Sequence, residues 1–258
     1  MAHYLRTSDL AKAVGVHPNT VRLYEQWGFL PKARRSPSGY RRFTEYHLDQ
    51  LRLIRLVFSG GWPGRSIRKL GLSIIEHSAA GDLGGALEMA HQLVLQVQSE
   101  LAQAESAATF LERWAAGTLV DATAKSLRIS EAASLLNTTI DAIRNWERNH
   151  LIQVPRDPAN GYRLYGASEI GRLRVIRMLL RAGYSMMAIL RMVSQLDRGD
   201  TQNLRQALDT PLPGDDVFMV NDHWLSALEE FQERALQVVA LLEEMLSKHY
   251  VLLIEPAR

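Results

Sequence analysis

A chain of 258 residues with 47% hydrophobic content holds enough apolar material for two small cored domains, and its lack of cysteine removes disulfides, thiolate metal sites and a cysteine nucleophile. The net charge of +2 is a poor guide, because the charge alternates along the chain: +9 over 1–70 (13 Lys/Arg against 4 Asp/Glu), −5 over 71–125 (2 against 7), +5 over 126–193 (10 against 5) and −7 over 194–258 (5 against 12). A polyanion would be gripped by the first and third blocks while the second and fourth face away from it.

The first elements read as short helices. Ser8 is placed to cap a helix with Leu10, Ala11 and Val14 turned inward, and Gly15 offers the left-handed conformation that ends it. A tight turn follows. Pro18 then suits a first helical position, and Val21, Tyr24 and Phe29 mark the apolar side of a second helix that Gly28 closes. KARRSPSGYRRF, with turn residues between short β-prone ends, predicts a hairpin or wing. LDQLRLIRLVFSGG returns to helical spacing, burying Leu51, Ile54 and Val57, and a further short helix runs through Ile67.

The acidic segment differs. Leu87, Ala90, Val94, Val97, Leu101, Ala104, Ala108, Leu111 and Ala115 step by threes and fours, which predicts one long helix with a coiled-coil seam. Beyond it the chain repeats itself. Gly161-Tyr162-Arg163 follows Gly39-Tyr40-Arg41 at 161 − 39 = 122 residues, and the same offset pairs Arg22 with Arg144, Glu25 with Glu147 and Arg55 with Arg177. In this second copy Thr139 takes the cap, and Ile143, Trp146 and Leu151 are the apolar anchors. Trp224, Leu228, Phe231, Ala235, Val238, Leu242 and Met245 predict a second seam.

The chain therefore divides into copy one over 1–75, a long helix over 86–116, a linker over 117–125, copy two over 126–193, a linker over 194–222 and a C-terminal helix over 223–252. The apolar runs fall short of a membrane span and MAHYLRTSDL lacks the core of a secretory signal, so the expected place is the cytoplasm.

Helix-turn-helix, GYR wing, helix pair and long helix in that order, with TVRLYE, GFL and GYRRF at their spacings, resemble the MerR family of bacterial transcription regulators. The resemblance covers Tyr4–Leu70 and returns over Leu127–Met192. It implies a mainly α fold: two winged helix-turn-helix domains, each followed by a long coiled-coil helix, packed antiparallel. It also implies binding to double-stranded promoter or operator DNA and distortion of the promoter for RNA polymerase. Recognition-helix residues expected at base edges are His17, Asn19 and Thr20, with Thr139, Asp141 and Ala142 at or near the matching places in copy two. Arg22 and Arg144 would contact phosphate or base. By resemblance the wing residues Tyr40, Arg41, Arg42, Tyr162 and Arg163 hold the backbone. Tyr24 and Trp146 are candidates for DNA contact or for core packing.

Asp141 puts a carboxylate near phosphate, so copy two is expected to bind more weakly or to read a different half-site. A single-chain pseudo-dimer and a true homodimer with four DNA-binding units both remain open. No enzyme motif, cofactor or metal is expected: HExxH and a P-loop lysine are absent, and Asp215, Asp216, Asp222 and His223 read better as a solvated acidic loop. Two other functions stay in view. One is a regulator sensing a small-molecule effector, including a multidrug type, in an aromatic pocket of Trp62, Phe110, Trp114, Trp224 and Phe231; the other is a nucleoid-architectural or coiled-coil scaffold.

Overall fold

The computed structural model describes residues 4–118, 126–210 and 220–254, and within them the protein is mainly α-helical. It forms two compact units: unit 1 takes residues 1–98 and 230–258, and unit 2 takes residues 99–229. Both long helices are divided between them. Unit 1 holds α1 (Thr7–Ala13), α2 (Pro18–Gln26), strands β1 (Arg34–Arg35) and β2 (Arg41–Arg42), α3 (Glu45–Phe58), α4 (Arg65–Ala79), the first half of α5 (Leu83–Ala115) and most of α11 (Trp224–Ile254). Unit 2 holds the rest of α5, then α6 (Ile129–Leu135), α7 (Ile140–Arg148), α8 (Ala167–Arg181), α9 (Met186–Asp197), α10 (Leu204–Asp209) and the start of α11.

The helix starts show why the local sequence folds as it does. Ser8 was expected to cap α1, but the helix begins two residues earlier, at Thr7, with Arg6 in the cap position. The Asp9 carboxylate reaches back to accept the Arg6 backbone N–H at 2.8 Å, and Glu131 does the same for Arg128 at 2.6 Å in copy two. Each satisfies an orphan donor and places negative charge at the positive end of the helix. Pro18 opens α2, and Thr139 caps α7 by accepting the Ala142 N–H at 3.0 Å. Helix ends are duplicated too: the backbone turns left-handed at Gly15 and Gly28, and again 122 residues on at Asn137 and His150. Copy two keeps the turn although the residue there is no longer glycine, so its neighbours must hold that conformation.

Each head has its own small core. Leu10, Val21, Leu30, Phe43, Leu51 and Ile54 are buried in the first, and Ala132, Ile143, Leu151, Tyr165, Leu173 and Ile176 in the second. The wing is a minimal hairpin in copy one, pairing Arg34 with Arg42 and Arg35 with Arg41; in copy two it shrinks to the bridge between Arg156 and Arg163. A bridge from Leu5 to Phe43, matched by Leu127 to Tyr165, ties the start of each head to the outgoing arm of its wing. Buried Gln50 locks head 1 further, donating to the carbonyls of Phe29 and Ile75 at 2.9 and 3.1 Å and accepting from Ser78. That network joins the end of the second helix to α3 and α4, with its polar atoms paired.

All seven residues of the seam expected on α11, from Trp224 to Met245, are buried. On α5 six of the nine expected seam residues are buried, Leu87, Leu101 and Ala115 are only half-buried, and Leu83, Ala86, Leu93 and Ala107 join the buried stripe and widen it. Such width is what a helix needs when it packs against a head as well as another helix. Residues 119–125 of the first expected linker lie outside the described residues. The expected linker over 194–222 is not free of structure, since α9 runs to Asp197 and α10 follows with Leu204 and Leu208 buried. Arg205 on that short helix reaches α5, 2.9 Å from Glu105 and 3.4 Å from Glu112. Among the described residues no helix is long and apolar enough to cross a membrane.

Candidate nucleic-acid interface

On head 1, the start of the chain, the second helix and the wing enclose a cleft of about 760 Å³ lined by Arg6, Arg22, Arg41 and Arg42 together with Pro18 and Tyr40. Among the described residues no acidic side chain lines it. Four guanidinium groups line this cleft, one of them, Arg41, already engaged by Glu25, and guanidinium is the group that recognises phosphate through paired N–H donors.

The expected base-reading residues sit where α2 meets this cleft. His17 and Asn19 are exposed, and Thr20 is half-buried. His17 Nδ1 accepts the Asn19 N–H at 3.2 Å, fixing the entry to the helix; Asn19 Oδ1 in turn accepts from Arg22 Nη1 at 3.2 Å. Arg22 is thereby tied to a neutral acceptor rather than to a carboxylate. The matching pair in copy two is Asp141 and Arg144, 3.5 Å apart and exposed, so the same guanidinium there is partly neutralised. Thr139 spends its hydroxyl on the helix cap.

Trp146 is 5% exposed and belongs to the core of head 2, which leaves its ring no free face for DNA. Tyr24 is half-buried in an aromatic cluster, its ring stacked on Phe58 at 6.5 Å and near Trp27 and Phe29. Packing is the role the geometry gives both.

The wing residues divide into two kinds. Tyr40 and Tyr162 project, at 76% and 59% exposure, as free phenols at matching positions. Arg42 lies 5.1 Å over the Tyr4 ring, and Arg128 lies 5.3 Å over Tyr162, contacts that keep cation and ring together on the surface. Arg41 has a second role that its place in the sequence does not announce. Its Nε donates to Glu25 Oε2 at 2.6 Å, and Arg163 donates to Glu147 at 2.7 and 2.9 Å, so in each head the wing is clamped to the recognition helix. Glu25 also accepts the Ala33 N–H at 3.0 Å, seating the strand entry. The signal was present, since both partners recur at the 122-residue offset with the same spacing of sixteen between them. Arg35 and Arg156, which sequence reasoning also passed over, each donate to the carbonyl of the wing-tip glycine, Gly39 at 3.0 Å and Gly161 at 3.1 Å.

The Asp/His group expected as a solvated loop is only partly described, with Asp215 and Asp216 outside the described residues. Asp222 is buried, accepts from Ser185 and offers its carbonyl to Arg191 at 2.6 Å, a structural role. Of the five residues considered for an aromatic pocket, Trp62 and Phe231 belong to unit 1 and Phe110, Trp114 and Trp224 to unit 2. Trp224 is buried and donates to the Ala182 carbonyl at 2.6 Å, so its ring is packed.

Helix, turn, helix and wing define a winged helix-turn-helix module, and the order recurs in both heads, with the arginine-lined cleft described on head 1. The chain belongs to the MerR HTH family of regulatory proteins, whose model matches residues 5–71 and again 127–196. It is similar to the mercuric resistance operon regulatory protein of Bacillus cereus, 32% identical over 75 residues that cover 29% of this chain and 56% of that one. It is also similar to the HTH-type transcriptional regulator CueR of Escherichia coli O157:H7, 39% identical over 51 residues (20% and 38%). A third relative is ZntR of Escherichia coli strain K12, 32% identical over 111 residues (42% and 76%). The chain thus spans about half the length, or less, of the first two. No solved structure matches it significantly.

Proposed function

We propose that this chain is a sequence-specific promoter-binding transcription regulator that carries both halves of a MerR-type dimer in one polypeptide. Its two heads read two unequal half-sites on double-stranded DNA and distort the spacer between them for RNA polymerase. The observation that carries this reading is the crossed bracing of the heads. Trp62, at the turn between α3 and α4, packs 6.1 Å from Phe231 on α11, the long helix of the other copy. Its counterpart at the 122-residue offset, Tyr184, donates to the Ala104 carbonyl on α5, again the long helix of the other copy, at 3.3 Å. In a dimer of single-headed chains each head would lean on its partner's helix in this way; on this reading one chain supplies both helices.

Base contacts fall to Asn19 and Thr20 in head 1 and to Asp141 in head 2, phosphate contacts to Arg22, Tyr40, Arg42, Arg144 and Tyr162. Asn suits adenine and Asp suits the cytosine amino group, so the site should not be a perfect palindrome. Light scattering of the protein on a promoter fragment, joined with footprinting, tests the reading. One chain per duplex with two protected half-sites of different sequence is expected. Two chains per duplex would replace it with a four-headed homodimer, and equal affinity for random DNA at physiological salt would replace it with an architectural protein.

A further inference from the structure

The two heads meet their long helices differently at matching positions. In unit 1, Trp62 stands edge-on to Phe58 at 5.9 Å, and the Arg234 guanidinium lies 5.1 Å over the Phe231 ring. A Cβ on Gly60 would collide with Arg234 Nη1, so that guanidinium rests on the bare glycine. Together these side chains close the crevice beside Leu56 and Leu93 to about 10 Å³.

Unit 2 leaves the equivalent place open. At the 122-residue offset Gly60 becomes Ala182 and Ser59 becomes Arg181, and the facing stretch of α5 offers Ser99, Ala102, Gln103 and Ser106 in place of aromatic side chains. A shallow groove of about 620 Å³ results, open to solvent along one side. Its α8 wall carries Arg177 and Arg181, one helical turn apart, neither with an ion-pair partner among the described residues. Of the acidic side chains on the adjoining stretch of α5, Glu105 is taken up by Arg205 at 2.9 Å, and Glu100 is engaged within the protein as well. The groove is therefore positively charged, with an apolar floor from Met178, Ala107 and Ala182.

We infer that this groove binds a small organic anion with a flat apolar body. Arg177 and Arg181 take its carboxylate or equivalent group through charge-assisted hydrogen bonds, the body lies on Met178 between Ala102 and Ala107, and Gln103 and Ser106 supply orienting donors. Such a ligand bridges α8 to α5 and fastens head 2 to the helix that braces it, as Trp62, Phe231 and Arg234 already fasten head 1. Regulation then acts on one head.

Calorimetric titration of the full chain, without DNA, tests this with three probes of one shape: 2-naphthoate, its neutral amide 2-naphthamide and the cation 2-naphthylmethylammonium. Naphthoate is expected to bind at one site per chain and the other two at least about tenfold more weakly, a difference of ~1.4 kcal/mol. The pair Arg177→Gln and Arg181→Gln should lose naphthoate about tenfold or more, and Ala102→Phe, which fills the groove from an exposed position, should abolish it with an unchanged thermal melt. No heat with naphthoate, equal binding of all three probes, or full affinity in the double arginine variant would overturn the inference. Because DNA takes no part, the outcome stands apart from that of the promoter-binding reading.

Discussion

Glu25 is a carboxylate inside a surface built to meet a polyanion, and simple charge counting says it should harm binding. Its geometry says otherwise. It holds Arg41 at 2.6 Å and the Ala33 N–H at 3.0 Å, which fixes the wing against the recognition helix. Glu25→Gln removes a negative charge from the DNA face and loosens the wing, so the two effects have opposite signs. The loss of a partly buried charge-assisted hydrogen bond, about 1–2 kcal/mol after allowing for solvent screening, should win. Urea unfolding is expected to show that loss, and gel shifts a weaker promoter complex; a tighter complex would mean that the wing does not need its clamp. Asp141→Asn carries the reverse expectation. Without the carboxylate 3.5 Å from Arg144, the repulsion of phosphate by Asp141 is removed, and affinity for the second half-site should rise about two- to fivefold while its base preference moves toward adenine. Selection of binding sites from a random pool reads both changes. How legible such details are depends on distance along the chain. The pairing of Asn19 with Arg22 lies within one helical turn and follows from spacing. The clamp joins residues sixteen apart on different elements, and only the fold brings them together.

At the scale of elements, helix periodicity carried most of the architecture, because an amphipathic stripe announces its own buried face. The seam from Trp224 to Met245 was legible for that reason. What was not legible was α10, six residues long and followed by Pro211 and Pro213, whose turn chemistry reads as linker. Its burial comes from Leu204 and Leu208 and from Arg205 reaching α5, none of which a short window reveals. The end of α11 was equally hidden. Its Lys248 and His249 meet Asp49 on α3 at 2.9 Å each, with Arg52 at 3.1 Å, about two hundred residues away in sequence.

Burial alone would push the Asp49 carboxyl up. The hydrogen bonds and charges of Lys248 and His249 outweigh it and hold the group below the ordinary carboxylate value. A depressed folded-state value means the contact contributes its full stability above the unfolded pKa of about 3.9 and loses it as pH falls through the lower folded value. Asp49→Asn should therefore cost about 2 kcal/mol at neutral pH and flatten the fall of melting temperature with acidification below about pH 4. Circular dichroism melts across that range measure it; an acid response identical to wild type would show that Asp49 does not anchor the helix.

For the whole molecule the charge alternation and the duplication make one argument. The heads carry +9 and +5, while the segments containing the long helices carry −5 and −7, so a duplex is drawn to the heads and repelled by the rods. On the proposed reading, two modest grips on one chain would act together, the second operating at an effective concentration of about the millimolar range once the first is made. Disabling one grip should forfeit that gain whichever head is chosen. Arg144→Glu with Tyr162→Ala in head 2 is expected to weaken binding to a full promoter site by about 10²–10³-fold, to shrink the footprint to one half-site, and to lower the salt slope by about one for each phosphate no longer held. The equivalent pair in head 1, Arg22→Glu with Tyr40→Ala, should leave the opposite half-site protected. A protein with four heads would keep its footprint after either change in a mixed assembly, because an intact copy still supplies the missing grip. Footprinting an equimolar mixture of the two variants separates the cases: independent single chains give two partial footprints on different duplexes, each with the one-grip salt slope, and only exchange between chains restores the full site.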